Sequence, residues 1–114
     1  MTYKAMMFSG VPNLALAFGY TNASWTLKAD LTAEYVCRLL AHMRRHGYRR
    51  CVPRRDERVS EVPFLDFTSG YVQRALAGLP KQGSVAPWKL RQNYLLDVLT
   101  LRRAEIEDGV VQLD

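Results

Sequence analysis

Most of what announces a function in a sequence is missing from this one. Its 114 residues hold only two cysteines, Cys37 and Cys51, too few to staple a small secreted scaffold with disulfides. No apolar run approaches the roughly 18 residues needed to cross a bilayer. The apolar start is broken by Ser9, Gly10, Pro12 and Asn13, so it lacks the clean apolar stretch and small-residue cleavage site of a secretory leader. These absences point to a soluble protein in a reducing, cytoplasmic setting. There is no GxxxxGK[ST] loop and no GxGxxG turn, the two backbone cradles that announce a bound phosphate. Ser24 lies in Asn22-Ala23-Ser24-Trp25-Thr26, which is not a GxSxG elbow. Internal repeats and low-complexity segments are absent as well. Length excludes one more class: an enzyme with a separate domain for each of two nucleotides needs far more chain, since domains commonly take about 100–150 residues each.

What is present is ordinary globular material, 48% hydrophobic and 24% charged. The net charge of +5 is unevenly placed. Arg44, Arg45, Arg49, Arg50, Arg54, Arg55 and Arg58 crowd a short stretch. Such a cluster attracts phosphate, which makes a small basic nucleic-acid-binding module one reading. Asp56 and Glu57 dilute the field, and Tyr48 alone offers an aromatic face for a base. A solvated helix end and loop is the favoured reading.

Along the chain, residues 3–8 read as a short strand and Ser9–Asn13 as a turn. Leu14-Ala15-Leu16-Ala17-Phe18 is an unbroken apolar run that fits a strand buried on both faces, as in a mostly parallel sheet. Gly19 ends it, and Thr21, Asn22 and Ser24 offer helix caps. Leu31, Tyr35, Leu39 and Met43 then recur every four residues, the stripe of an amphipathic helix. Arg44, Arg45 and His46 suit its last turn and Gly47 its end. Residues 48–67 read as an extended surface connection tacked down by Phe64, Leu65 and Phe67. Thr68 or Ser69 caps a short helix running to about Gly78, and Lys81–Ser84 reads as a loop. A second strong helix is expected over 88–103, with Trp88, Leu95 and Leu99 on its apolar side. Asp108-Gly109 marks a turn in a tail hairpin between Ile106 and Val110.

Two groups invite chemistry. His42 and His46 share a helix face, but Cys37 turns roughly 140–180° away from them at 100° per residue, so no zinc site is expected and no metal is assigned. The junction Gly19–Trp25 is more informative. In open α/β sheets, ligands bind beyond the carboxyl ends of strands, where the following helix offers free N–H groups and partial positive charge. A plain connection whose caps serve only their own helix is the alternative.

The segments from Gly10 to Leu31, Tyr35 to Leu40, Pro63 to Phe67, Gly70 to Ala75, Pro80 to Gly83 and Gln92 to Tyr94 resemble the C-terminal part of FAD-containing monooxygenases of the Baeyer–Villiger type. The resemblance is to the subgroup of the actinobacterial ethionamide-activating enzyme. It implies an α/β fold, a C-terminal fragment of a Rossmann-like FAD-binding domain with short strands or a hairpin followed by three helices. Residues 1–47 would be the last strands and helix of that domain, and 48–114 a helical cap. It also implies FAD and NADPH as cofactors, and oxygenation of ketones or of sulfur and nitrogen centres through a C4a-peroxyflavin. Gly19, Tyr20, Thr21, Asn22 and Trp25 would lie at the flavin. The partners implied are the N-terminal FAD/NADPH portion of the enzyme, a small-molecule substrate and O₂. The family's GxGxxG turns and its F-x-G-x-x-x-H-x-x-x-W-P signature have no counterpart here. No catalytic residue can therefore be carried over, and the chain is expected to be inactive alone; a non-functional remnant of the enzyme is the alternative.

Overall fold

The computed structural model describes residues 1–64 and 70–114. The fold is α/β, and among the described residues helices pack beside three small antiparallel sheets of two strands each. Its backbone is the long helix α1, Trp25–His46. Leu31, Tyr35, Leu39 and Met43, the stripe legible in the sequence, are all buried. Gly47 closes α1 in the left-handed conformation, φ 73°, and its N–H returns to the Met43 carbonyl. Against this stripe pack Tyr3, Met6, Met7, Cys51, Trp88, Leu101 and Val111. Among the described residues, no helix is long and apolar enough to cross a membrane.

The strands differ from expectation because their partners are remote in sequence. Residues 3–8 are not one strand. Thr2–Tyr3 (β1) turns back on Met7–Phe8 (β2), and Lys4 and Ala5 take positive φ of 48° and 55° to make the turn. The presumed surface connection contains Cys51–Pro53 (β3), which is buried and pairs with Val111–Leu113 (β6). The C-terminal strand thus crosses to β3 and forms no local hairpin with Ile106. Its turn is nevertheless present: Asp108 Oδ1 accepts from the Val110 and Val111 N–H groups, and Gly109 sits at φ 78°. Glu61–Pro63 (β4) pairs with Lys81–Gly83 (β5), which replaces the expected 81–84 loop. Phe64 is buried as expected. The anchors Leu65 and Phe67 and the caps Thr68 and Ser69 lie outside the described residues.

Leu14–Phe18 is not a strand. It is tied to the hairpin by one backbone bond, Leu16 N–H to the Met6 carbonyl at 2.7 Å. Leu14 and Leu16 are 39% and 40% exposed, so the two-sided burial that the apolar run demands is not supplied by the residues packed here.

The short helix α2 covers Gly70–Ala75 and continues as a 3-10 turn, Leu76–Gly78. The last helix, α3, covers Tyr94–Arg102 and not 88–103. Asn93 caps it, its Oδ1 accepting from the Leu96 N–H at 3.1 Å. Trp88 precedes the helix and is 2% exposed, edge-on to Tyr3. The expected apolar face is turned outward: Leu95, Leu96 and Leu99 are exposed, while Asp97 and Leu101 face inward. Polar clamps join α3 to α1. Arg102 grips Glu34 at 2.9 and 3.0 Å, and Arg38 donates to the Leu101 and Ala104 carbonyls.

Candidate functional site

The chain from Phe18 into the first turn of α1 borders a cavity of about 470 Å³. Gly19, Tyr20, Thr21 and Trp25 line it, together with Phe18 and Phe64, whose rings meet edge-on at 5.2 Å. Of the five residues singled out in the sequence, only Asn22 is outside the lining. It holds the rim instead, its amide donating to the Gln92 carbonyl at 3.3 Å.

Each wall residue is fixed for a physical reason. Gly19 lies under the Trp25 indole so closely that a Cβ there would fall 2.1 Å from the indole Cγ. Any side chain at 19 would drive Trp25 from the wall. Thr21 is tied by both its N–H and its hydroxyl to Gln92 Oε1, at 2.9 and 3.2 Å. Tyr20 is buried, and its hydroxyl donates to Asp97 Oδ2 at 2.5 Å. Burial, reinforced by that bond to a carboxylate, pushes the Tyr20 phenol above its usual range. The same oxygen receives the Lys28 ammonium at 2.8 Å. Lys28 and Asp97 are 3% and 4% exposed, so this is a desolvated ion pair set into the wall between α1 and α3.

The start of α1 is bare. Ser24 makes no side-chain cap bond, and the first turn holds no carboxylate. Its hydroxyl instead pairs with that of Thr26 at 2.8 Å. The orphan N–H groups of a helix start favour an electron-rich or anionic atom. An aromatic, mostly apolar cavity with such donors beside it suits a planar heteroaromatic ring.

The residues that sequence reasoning missed are Lys28, Asp97, Gln92, Phe64, Leu90 and Arg91. Asp97 was masked by the leucines around it. Only Asn93 as a cap, four residues earlier, signals that Asp97 sits in a first turn. Three of the seven arginines in the basic cluster are ion-paired, Arg50 with Asp114, Arg55 with Glu61 and Arg58 with Asp56, while Arg54 donates to Gln112. The His42 and His46 rings lie tilted by 36° with centres 4.2 Å apart, and His42 meets Glu107 at 2.8 Å. Cys37 is exposed and Cys51 buried.

Comparison with known proteins settles what kind of protein this resembles. The FAD-containing monooxygenase EthA of Mycobacterium tuberculosis is 57% identical over 109 residues, 95% of this chain and 22% of that protein. This chain matches part of an FAD-containing monooxygenase. EthA of Mycolicibacterium smegmatis is 51% identical over the same share of each chain. The "Probable FAD-binding monooxygenase AlmA" of Acinetobacter baylyi is 47% identical over 116 residues, 100% of this chain and 23% of that protein. The chain therefore spans under a quarter of the length of these relatives. No family model and no solved structure matches it.

Proposed function

We propose that this chain is the C-terminal, flavin-facing part of an FAD- and NADPH-dependent monooxygenase of the Baeyer–Villiger type, inactive by itself. In this reading residues 1–47 complete a Rossmann-like FAD domain and residues 48–114 cap it. The observation that carries the reading is a coincidence of two independent features. The chain matches enzymes named for FAD over nearly its whole length, and the junction at residues 19–25 lines an aromatic cavity beside an uncapped helix start.

The residues present fit the ring end of FAD. Gly19 leaves the room that a side chain would fill, and Phe18, Tyr20, Trp25 and Phe64 offer apolar faces. The sequence holds neither of the two phosphate-cradling motifs. FAD, when bound and reduced by NADPH, would supply the activation of O₂ for oxygenating a ketone, sulfur or nitrogen centre. The chain's own part is narrower. Trp25 and Phe64 would hold the ring and exclude water. The N–H groups opening α1 would stabilise negative charge on the ring edge. Asp97 and Gln92 would keep Tyr20 and Thr21 from shifting away.

The exposed leucines support the same reading. Leu95, Leu96 and Leu99 on α3, with Leu14 and Leu16, are large apolar side chains left in water, as at a surface that a partner covers. The remaining portion of the enzyme would cover them.

Reconstitution tests the proposal. The chain is mixed with M. tuberculosis EthA from which the matched region has been removed, and NADPH oxidation with oxygenated product is followed. Each polypeptide alone is expected to be inactive and the mixture active. NADPH turnover by this chain alone, or a mixture that stays inactive although the two bind each other, would overturn it.

A further inference from the structure

A second cavity, of about 260 Å³, adjoins the aromatic one, and Ala5, Lys28 and Arg91 line both. Its size lies just below the range of about 300–1,000 Å³ that takes drug-sized molecules, so it suits something small. Its walls combine two chemistries. Ala5, Pro87, Leu101 and Ala104 supply an apolar floor, and four cations, Lys4, Lys28, Lys89 and Arg91, face one carboxylate, Asp97.

The charges are not equivalent. Lys28 is committed to Asp97 at 2.8 Å and Lys4 to Asp108 at 2.7 Å. Among the described residues, Lys89 and Arg91 enter no ion pair. Arg91 is half-buried at the boundary of the two cavities. Two positive charges thus stand unanswered over an apolar floor.

The backbone fixes one wall of this cavity. Lys4 and Ala5 both sit in the left-handed region, where a residue with a side chain costs roughly 1–2 kcal/mol. Glycine would remove that cost, yet neither position has it. The turn is held by the Lys4 N–H on the Pro87 carbonyl at 2.8 Å and by the Lys4 ammonium on Asp108. Its effect is to set Ala5, 5% exposed, as the wall shared by the two cavities. Both positive φ values belong to this tight hairpin turn, which the Met6 N–H closes on the Tyr3 carbonyl at 3.0 Å.

We infer that this cavity binds a small organic anion, a carboxylate carried on a short apolar body, beside the aromatic cavity. The carboxylate meets Arg91 and Lys89, and the apolar body lies on Ala5, Pro87 and Leu101. A neutral molecule would leave the cations unanswered, and an inorganic anion would leave the apolar floor wet.

Binding is read by chemical-shift titration of the 114-residue chain alone, without FAD, so the outcome is independent of the flavin reading. The probes are hexanoate, its neutral isostere hexanamide, and inorganic phosphate. Hexanoate is expected to shift Ala5 and Ala104 amides and to bind at least about tenfold more tightly than either other probe. Arg91→Gln is expected to weaken hexanoate about tenfold with an unchanged amide spectrum elsewhere. Lys89→Gln, at a more exposed cation, costs less. Hexanamide binding as well as hexanoate, indifference to Arg91→Gln, or no binding of any probe would overturn the inference. Phosphate binding as tightly as hexanoate would overturn the organic carboxylate in favour of a simple anion.

Discussion

Asp97 is where the account is most exposed to experiment. Its Oδ2 receives the Tyr20 hydroxyl at 2.5 Å and the Lys28 ammonium at 2.8 Å. Both charged side chains are nearly fully buried, 4% and 6% exposed for Lys28 and Asp97. Asp97→Asn keeps the shape and an acceptor for Tyr20 but strips the charge. It leaves the ammonium buried without its counter-ion, which costs about 3–5 kcal/mol. A domain of this size is stable by only about 5–15 kcal/mol, so the loss takes a large part of the total. Lys28→Met orphans the carboxylate and is expected to cost a similar amount. Combining the two removes both charges, and a buried pair replaced by neutral groups is close to neutral in stability. The double variant is therefore more stable than either single one, with a coupling of at least about 2 kcal/mol. Urea unfolding followed by circular dichroism measures all four proteins, provided the slopes agree. Asp97→Asn within about 0.5 kcal/mol of the parent, or additive variants, would refute the buried pair and with it the rigid wall at Tyr20.

The remaining predictions are simpler. Burial pushes the Asp108 carboxyl up, but hydrogen bonds from Lys4 and Tyr3 outweigh it and hold it below its usual 3.8; its stabilisation is complete above that pH and lost as pH falls through the lower folded value. Asp108→Asn should flatten the acid limb of a Tm-versus-pH curve, and an unchanged limb counts against the Tyr3–Lys4–Asp108 cluster. Tyr3, Tyr20 and Tyr35 are all held above their usual 10, chiefly by burial. The protein should therefore lose stability as pH rises past that value, with the phenolate absorbance of these three tyrosines appearing only on unfolding. Burial also pushes the Cys51 thiol up, so a thiol reagent should modify exposed Cys37 quickly and Cys51 only in denaturant. Leu95→Lys with Leu99→Lys, at positions 72% and 53% exposed, should leave the unfolding free energy within about 0.5 kcal/mol of the parent yet abolish reconstitution with truncated EthA.

How much of this was legible depends on how far each contact reaches along the chain. Helix α1 was plain, since four apolar residues at four-residue spacing and a terminal glycine are local signals. The strands were not, because each has only two or three residues and β3 finds its partner at the far end of the chain, Cys51 opposite Leu113. The junction at 19–25 was visible as glycine, polar turn and helix start. What pins it was hidden: Tyr20 reaches Asp97 across 77 positions and Thr21 reaches Gln92 across 71. Helix α3 misled because leucine spacing normally marks a buried face, and here an ion pair takes the inner side. Leu14–Phe18 misled in the opposite way. Its composition demands burial that the residues packed around it do not provide.

The central claim is that the 19–25 junction faces the flavin ring. FAD titrated into the reconstituted mixture, with flavin fluorescence as the readout, tests it most directly. Gly19→Leu places a side chain where the Trp25 indole now lies, with Cγ only 2.1 Å from a Cβ, and Trp25 is exposed enough to swing out without unfolding the chain. The account predicts that the parent chain supports saturable FAD binding and that a folded Gly19→Leu chain, still able to associate with its partner, does not. Equal binding by the two would contradict it.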